Sequence, residues 1–182
     1  MRRLFALSLA TLLLLSLTAS ARRPDDFSLN ITLTRGERSR DSHSQTTRIT
    51  LRGSELLYEK TYTGFRGGAR SAPVKKSFRL SDEERERLKK LVRDRAFPEA
   101  YDFSVAEEES GIRRYFELKL NMTLDGKKSV INVSGPRTSS RFKEQENFQK
   151  AYALLDAVYT ILSARDKEIA YENRDLISDR MP

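Results

Sequence analysis

The one histidine, His43, stands between Ser42 and Ser44. A histidine base needs a nucleophile and a third group that orients it, all held by surrounding structure. Serines adjacent in sequence do not form that constellation, so the pattern indicates an exposed histidine in a polar loop. Carboxylates gather at Glu99, Asp102, Glu107, Glu108 and Glu109. Calcium loops place their oxygens at set intervals around a glycine turn, and this spacing matches none of them. A hydrolase working with two carboxylates needs a second one across the substrate from the first, and nothing in the chain locates it. Gly67-Gly68 lacks the strand and helix that a phosphate-binding loop requires. The chain has no cysteine, which excludes thiol catalysis, cysteine–metal sites and disulfides. No cofactor and no metal are expected.

Charge is the remaining signal. Between residues 60 and 80 lie Lys60, Arg66, Arg70, Lys75, Lys76 and Arg79 without an acid. Arg48 and Arg52 fall at outward positions of a neighbouring strand pattern, as does Lys119 on a later one. Arg48, Arg52, Arg66, Arg70, Lys75, Lys76 and Arg79 are therefore the candidate polyanion-binding residues, with an acidic protein or a polyanionic envelope component as partner. The competing reading is a solvated face whose charges keep sheet edges apart. Three acceptor motifs for N-glycosylation occur, at Asn30-Ile31-Thr32, Asn121-Met122-Thr123 and Asn132-Val133-Ser134. Strand parity puts all three asparagines outward, where short polar residues are common by chance.

The elements that must position these residues are strands. Phe27, Leu29, Ile31 and Leu33 alternate with Ser28, Asn30, Thr32 and Thr34, the period of a half-buried strand. Residues 35–44 lack periodicity and read as loop. Thr46 to Arg52 alternates again, Gly53-Ser54 turns, and Glu55 to Thr63 returns, with Leu56 and Leu57 leaving its inward face ambiguous. Gly64 to Pro73 reads as a basic, glycine-rich loop. Val74, Lys76, Phe78 and Leu80 mark a fourth strand. Ser81-Asp82-Glu83-Glu84 is a capping box, so a helix starts at Ser81 and stops before Pro98. Residues 99–112 read as acidic loop. Phe116, Leu118, Leu120, Met122 and Leu124 then alternate strictly, Asp125-Gly126 supplies a hairpin turn, and Ser129 to Ser134 returns. Asn147 to Ala164 carries a wide apolar face, with Phe148, Ala151, Leu155, Val158 and Leu162 at its centre.

The resulting expectation is an α+β fold. An antiparallel sheet of about six strands carries two helices packed on one face. Residues 22–164 form a single domain and residues 165–182 a charged C-terminal tail.

Ahead of this domain, Arg2 and Arg3 precede an uncharged, leucine-rich run from Leu4 to Leu17. As a helix it would be about 21 Å long, short of a bilayer core of about 30 Å. Ala19-Ser20-Ala21 follows as a small-x-small cleavage site. Residues 1–21 are thus expected to be a signal peptide, with a secreted or periplasmic product and no membrane span in its mature form. Cleavage removes Arg2 and Arg3 and brings the formal charge from +8 to +6.

The early hairpin, the Phe78-Arg79-Leu80-Ser81 entry to a helix with Glu84 and a closing Phe97, and the late strand from Tyr115 to Leu124 carry a resemblance. This layout resembles small exported bacterial domains with no characterised activity. The resemblance covers most of residues 28–162 and rests on a helix cap and core positions. It implies a fold and a location, and no catalytic residue. The function expected is that of an exported, non-enzymatic binding or interaction domain. The alternatives are a carboxylate-based hydrolase or a structural subunit of an envelope complex.

Overall fold

The structure, a computed structural model, describes residues 26–38, 43–64, 72–106, 113–137 and 139–170. The expected signal peptide, most of the glycine-rich loop with Arg66 and Arg70, the triple-glutamate stretch and residues 171–182 lie outside these.

Seven strands form one sheet: β1 (Ser28–Arg38), β2 (His43–Arg52), β3 (Glu55–Thr63), β4 (Val74–Arg79), β5 (Ala100–Ser104), β6 (Arg113–Leu124) and β7 (Lys127–Pro136). Their order across the sheet is β4-β3-β2-β1-β6-β7-β5. Among the described residues, two long α-helices, α1 (Asp82–Arg95) and α2 (Glu146–Ser163), and a short 3-10 turn at Ser140–Phe142 accompany them. All neighbouring strands are antiparallel except β5, which runs parallel to β7. The α+β expectation holds, with one strand more than the expected six.

The extra strand lies in the stretch read as acidic loop. Tyr101 and Phe103 alternate with Ala100, Asp102 and Ser104 over five residues, too few for periodicity alone to reveal. What makes it a strand is its register beside Ile131 and Val133 of β7. β1 is also longer than its apolar alternation, because β2 and β6 pair with it through Glu37 and Arg38 respectively.

Local chemistry explains the turns and caps. Asp125 and Gly126 both have positive φ, 52° and 76°, the requirement of the two-residue turn joining β6 to β7. Gly53 opens the β2–β3 turn at φ 58°. Ser81 accepts the Glu84 N–H while the Glu84 carboxylate accepts the Ser81 N–H, closing the capping box. α1 ends on Ala96 in the left-handed conformation, two residues ahead of Pro98.

The buried strand residues all share one side. Leu29, Ile31, Leu33, Ile49, Leu51, Leu56, Tyr58, Phe116, Leu118, Leu120, Met122, Ile131 and Val133 point to the helices. Leu56 is buried and Leu57 exposed, which settles the parity of β3. α1 contributes Leu88 and Val92, and α2 contributes Phe148, Ala151, Leu154, Leu155, Val158, Tyr159 and Leu162. Apolar area buried at roughly 25 cal/mol per Å² is what holds helices and sheet together.

The chain stays packed past α2, in residues read as tail. Ile169 is buried, and the Asp166 carboxylate accepts the Glu168 and Ile169 N–H groups at the start of a further helical turn. Arg165 reaches the Glu84 carboxylate at 2.6 Å, and Lys76 reaches Asp166 at 2.7 Å and Glu168 at 2.6 Å.

Candidate ligand-binding face

Helices on one side leave the outward residues of all seven strands uncovered among the described residues. Register aligns them in rows running across the sheet. One row reads Lys75, Glu59, Arg48, Thr32, Lys119, Asn132, Asp102 from edge to edge. The next reads Ser77, Leu57, Thr50, Asn30, Asn121, Val130, Ala100. Beyond it come Arg79, Glu55, Arg52, Ser28, Thr123 and Lys128. The face is hydroxyl- and amide-rich, with cations set among carboxylates. Hydroxyls bond across strands, as in Ser44–Thr63 (2.6 Å), Thr34–Thr46 (3.2 Å) and Ser104–Ser134 (3.1 Å). Tyr115 lies over Gly36, where an added Cβ would come within 2.7 Å of its hydroxyl.

The predicted basic residues do not form one surface. Arg48, Arg52, Lys75 and Arg79 lie on the open face. Lys76 lies on the other side, since it alternates with Lys75 and shares the parity of Phe78. There it bridges to Asp166 and Glu168, and their hydrogen bonds hold its ammonium above the usual lysine range. Lys60 is also on the helix side and buried. Lys75 donates to Glu59 at 2.9 Å, and Arg48 stands 3.8 Å from the same carboxylate. The Lys75 hydrogen bond, helped by the charges of Lys75 and Arg48, keeps Glu59 below the ordinary carboxylate range against its partial desolvation. Arg66 and Arg70 lie outside the described residues. A continuous basic strip from 60 to 80 is therefore divided between the two sides of the sheet and partly neutralised.

A different constellation emerges at one end of the open face. A shallow hollow of about 240 Å³ is lined by Ser28, Asn30, Thr50, Asn121 and Thr123, with Arg52 and Lys128 at its two sides and Val130 beside them. Asn30 and Asn121 are direct cross-strand partners at its centre. Arg52 was among the predicted residues; Lys128 and the amides were not. Their polarity at outward positions was visible in the sequence, but only the β2-β1-β6-β7 register brings four strands' residues together.

The remaining candidates take ordinary structural places. His43 is exposed at the start of β2, and Ser44 beside it is bonded to Thr63. Asp102 accepts a hydrogen bond from Asn132 Nδ2 at 2.7 Å. The sequon asparagines Asn30, Asn121 and Asn132 all lie on the open face. Among the described residues no three His, Cys, Asp or Glu side chains are grouped to hold a metal ion. No helix among them is long and apolar enough to cross a membrane.

No protein-family model matches the chain, and no curated protein is similar to it.

Proposed function

We propose that this chain is an exported, non-enzymatic binding domain whose open sheet face takes an anionic, hydroxyl-rich ligand of the cell envelope, such as an acidic glycan. The observation that carries this reading is the hollow between Arg52 and Lys128, floored by Asn30, Asn121, Thr50 and Thr123. Amides and hydroxyls both donate and accept, which suits a ligand bearing many hydroxyls. Two cations at the sides suit its negative groups. Binding is favoured over hydrolysis because, among the described residues, the open-face carboxylates are already engaged. Glu55 accepts from Ser77, Glu59 from Lys75, Asp102 from Asn132, and Glu117 pairs with Lys119 at 2.8 Å. Export rests on the leucine-rich N-terminal run and the Ala19-Ser20-Ala21 site.

The test is retention on an immobilised uronate or sulfated polysaccharide. The protein is expected to bind at 0.05–0.1 M salt and elute towards 1 M, as the screening length falls from about 10 Å to about 3 Å. Arg52→Glu combined with Lys128→Glu should abolish retention. Arg85→Glu combined with Arg87→Glu changes net charge equally, on α1, and should leave most of it. Equal loss in both would show that net charge alone holds the matrix, and the reading would fail.

A further inference from the structure

We propose that copies of this chain join edge to edge, β4 of one against β5 of the next, so that their sheets run on as one. β4 and β5 are the two outer strands, and no described strand lies beyond either. Their free sides follow from the hydrogen-bond ladder. Leu80 donates its N–H to the Ser54 carbonyl at 2.8 Å, and the alternation of the β3–β4 register then turns the backbone groups of Lys76 and Phe78 toward β3. Those of Lys75, Ser77 and Arg79 point away from the sheet, and all three residues are exposed. On β5, Val105 donates to the Ser134 carbonyl and Glu99 accepts from the Val130 N–H, both at 2.9 Å, so Tyr101 and Phe103 bond to β7. Ala100, Asp102 and Ser104 turn their backbone groups outward and are likewise exposed.

Chain direction suits this pairing. Every neighbouring pair in the sheet is antiparallel except β5 with β7. Counted across the strand order, β4 and β5 consequently run in opposite directions. A second copy set beside the first, with its helices on the same side, brings β5 against β4 as an antiparallel pair, the more stable ladder. Had β5 been antiparallel to β7, the two edges would have met in parallel.

The two edges also differ in charge. β4 carries Lys75, Lys76 and Arg79 and no acid, while residues 99–104 carry Glu99 and Asp102 and no base. Lys75 and Lys76 are engaged within their own chain. Arg79 has no ion-pair partner among the described residues. Asp102 accepts from Asn132 and keeps further lone pairs for a second donor. Setting Arg79 opposite Asp102 of the partner subunit also sets Phe78 opposite Phe103 of the partner subunit, on the helix side. Both rings are only partly buried against the core, so the pairing covers apolar surface as well. Like edges do not fit in this way. Two β4 strands paired along their length would set Lys75 against Arg79 twice, and two β5 strands would set Asp102 against Asp102; like charges directly opposite destabilise. The charges thus guard each edge against its own kind and match it to the other. Each contact leaves one edge of each kind free, so the assembly is head-to-tail and repeats from copy to copy.

Sedimentation velocity of the full chain over a range of concentrations tests the assembly. The average mass is expected to climb past that of a dimer at low salt and to fall back at about 1 M, where the screening length is about 3 Å. Arg79→Glu and Asp102→Lys should each weaken association about tenfold, since an attractive pair becomes a repulsive one. Mixed together, the two variants should associate again, because each edge of one then opposes an edge of the other sign. Two misfolded variants could not give that rescue. In the unaltered protein, amide exchange should slow with concentration at Ser77, Arg79, Asp102 and Ser104. It should not change at Phe78 and Phe103, whose N–H groups are already bonded within the sheet. A mass that stays that of one chain at every concentration, association that neither variant weakens, or a mixture that stays dissociated would overturn the proposal. The exchange pattern of the unaltered protein decides it where a variant fails to fold.

Discussion

Single residues divide sharply by the side of the sheet they face. Leu120 is 1% exposed at the centre of β6, and Lys119 beside it is half-exposed and paired with Glu117. Leu120→Ala is expected to cost about 2–5 kcal/mol, a large share of a typical total of about 5–15 kcal/mol. Lys119→Ala should stay within about 0.5 kcal/mol. Urea unfolding of both variants reads the parity directly, and equal effects would contradict it. Ala96 offers a gain. At φ 45° its Cβ is strained in the left-handed region that a helix C-terminus normally gives to glycine. Ala96→Gly relieves that strain at some cost in chain entropy, and a net stabilisation of roughly 0.5–1 kcal/mol is expected. A lower melting temperature for this variant would mean that the Ala96 conformation carries no strain.

Elements are joined by ion pairs as well as by apolar contact. Lys76 ties β4 to the turn after α2, and Arg165 ties that turn to the first turn of α1 through Glu84. The Lys76 hydrogen bond holds the Asp166 carboxyl below its usual range, and the Arg165 hydrogen bond does the same for Glu84. Groups with depressed folded-state pKa values stabilise fully above their unfolded values, about 3.9 for Asp and 4.3 for Glu. That contribution is lost as pH falls through the lower folded values. Lys76 has the opposite sign. Its raised pKa stabilises fully below about 10.4 and is lost as pH rises through the folded value. Lys76→Met should therefore destabilise by about 1 kcal/mol at pH 7 and flatten the acid limb of a stability–pH curve. Lys75→Met, whose side chain is 70% exposed, should do little. An acid limb unchanged in Lys76→Met would rule out this clamp.

At the scale of the molecule, a seven-stranded sheet carries its helices on one side and a polar, uncovered face on the other among the described residues. That asymmetry suits a protein that meets a ligand with one broad surface. Export is a separate proposal that rests on the N-terminal pattern alone, which predicts cleavage after Ala21. N-terminal sequencing of the exported protein should begin at Arg22. An intact Met1 in a membrane fraction would reverse that expectation.

The sequence by itself determined what depends on neighbours along the chain. The β6 alternation, the Asp125-Gly126 turn, the Ser81–Glu84 capping box and the apolar face of α2 all follow from local geometry with periods of two and 3.6. The tertiary structure alone decided what depends on register and on which strands are neighbours. β5 is a strand because β7 offers it a partner. Lys75 and Lys76 take opposite sides by the local period of β4, but the carboxylates they meet, Glu59 for one and Asp166 and Glu168 for the other, come from other elements and only the fold supplies them. The hollow between Arg52 and Lys128 needs β2, β1, β6 and β7 side by side. Such juxtapositions join residues up to a hundred positions apart, and no local pattern encodes a distance of that kind.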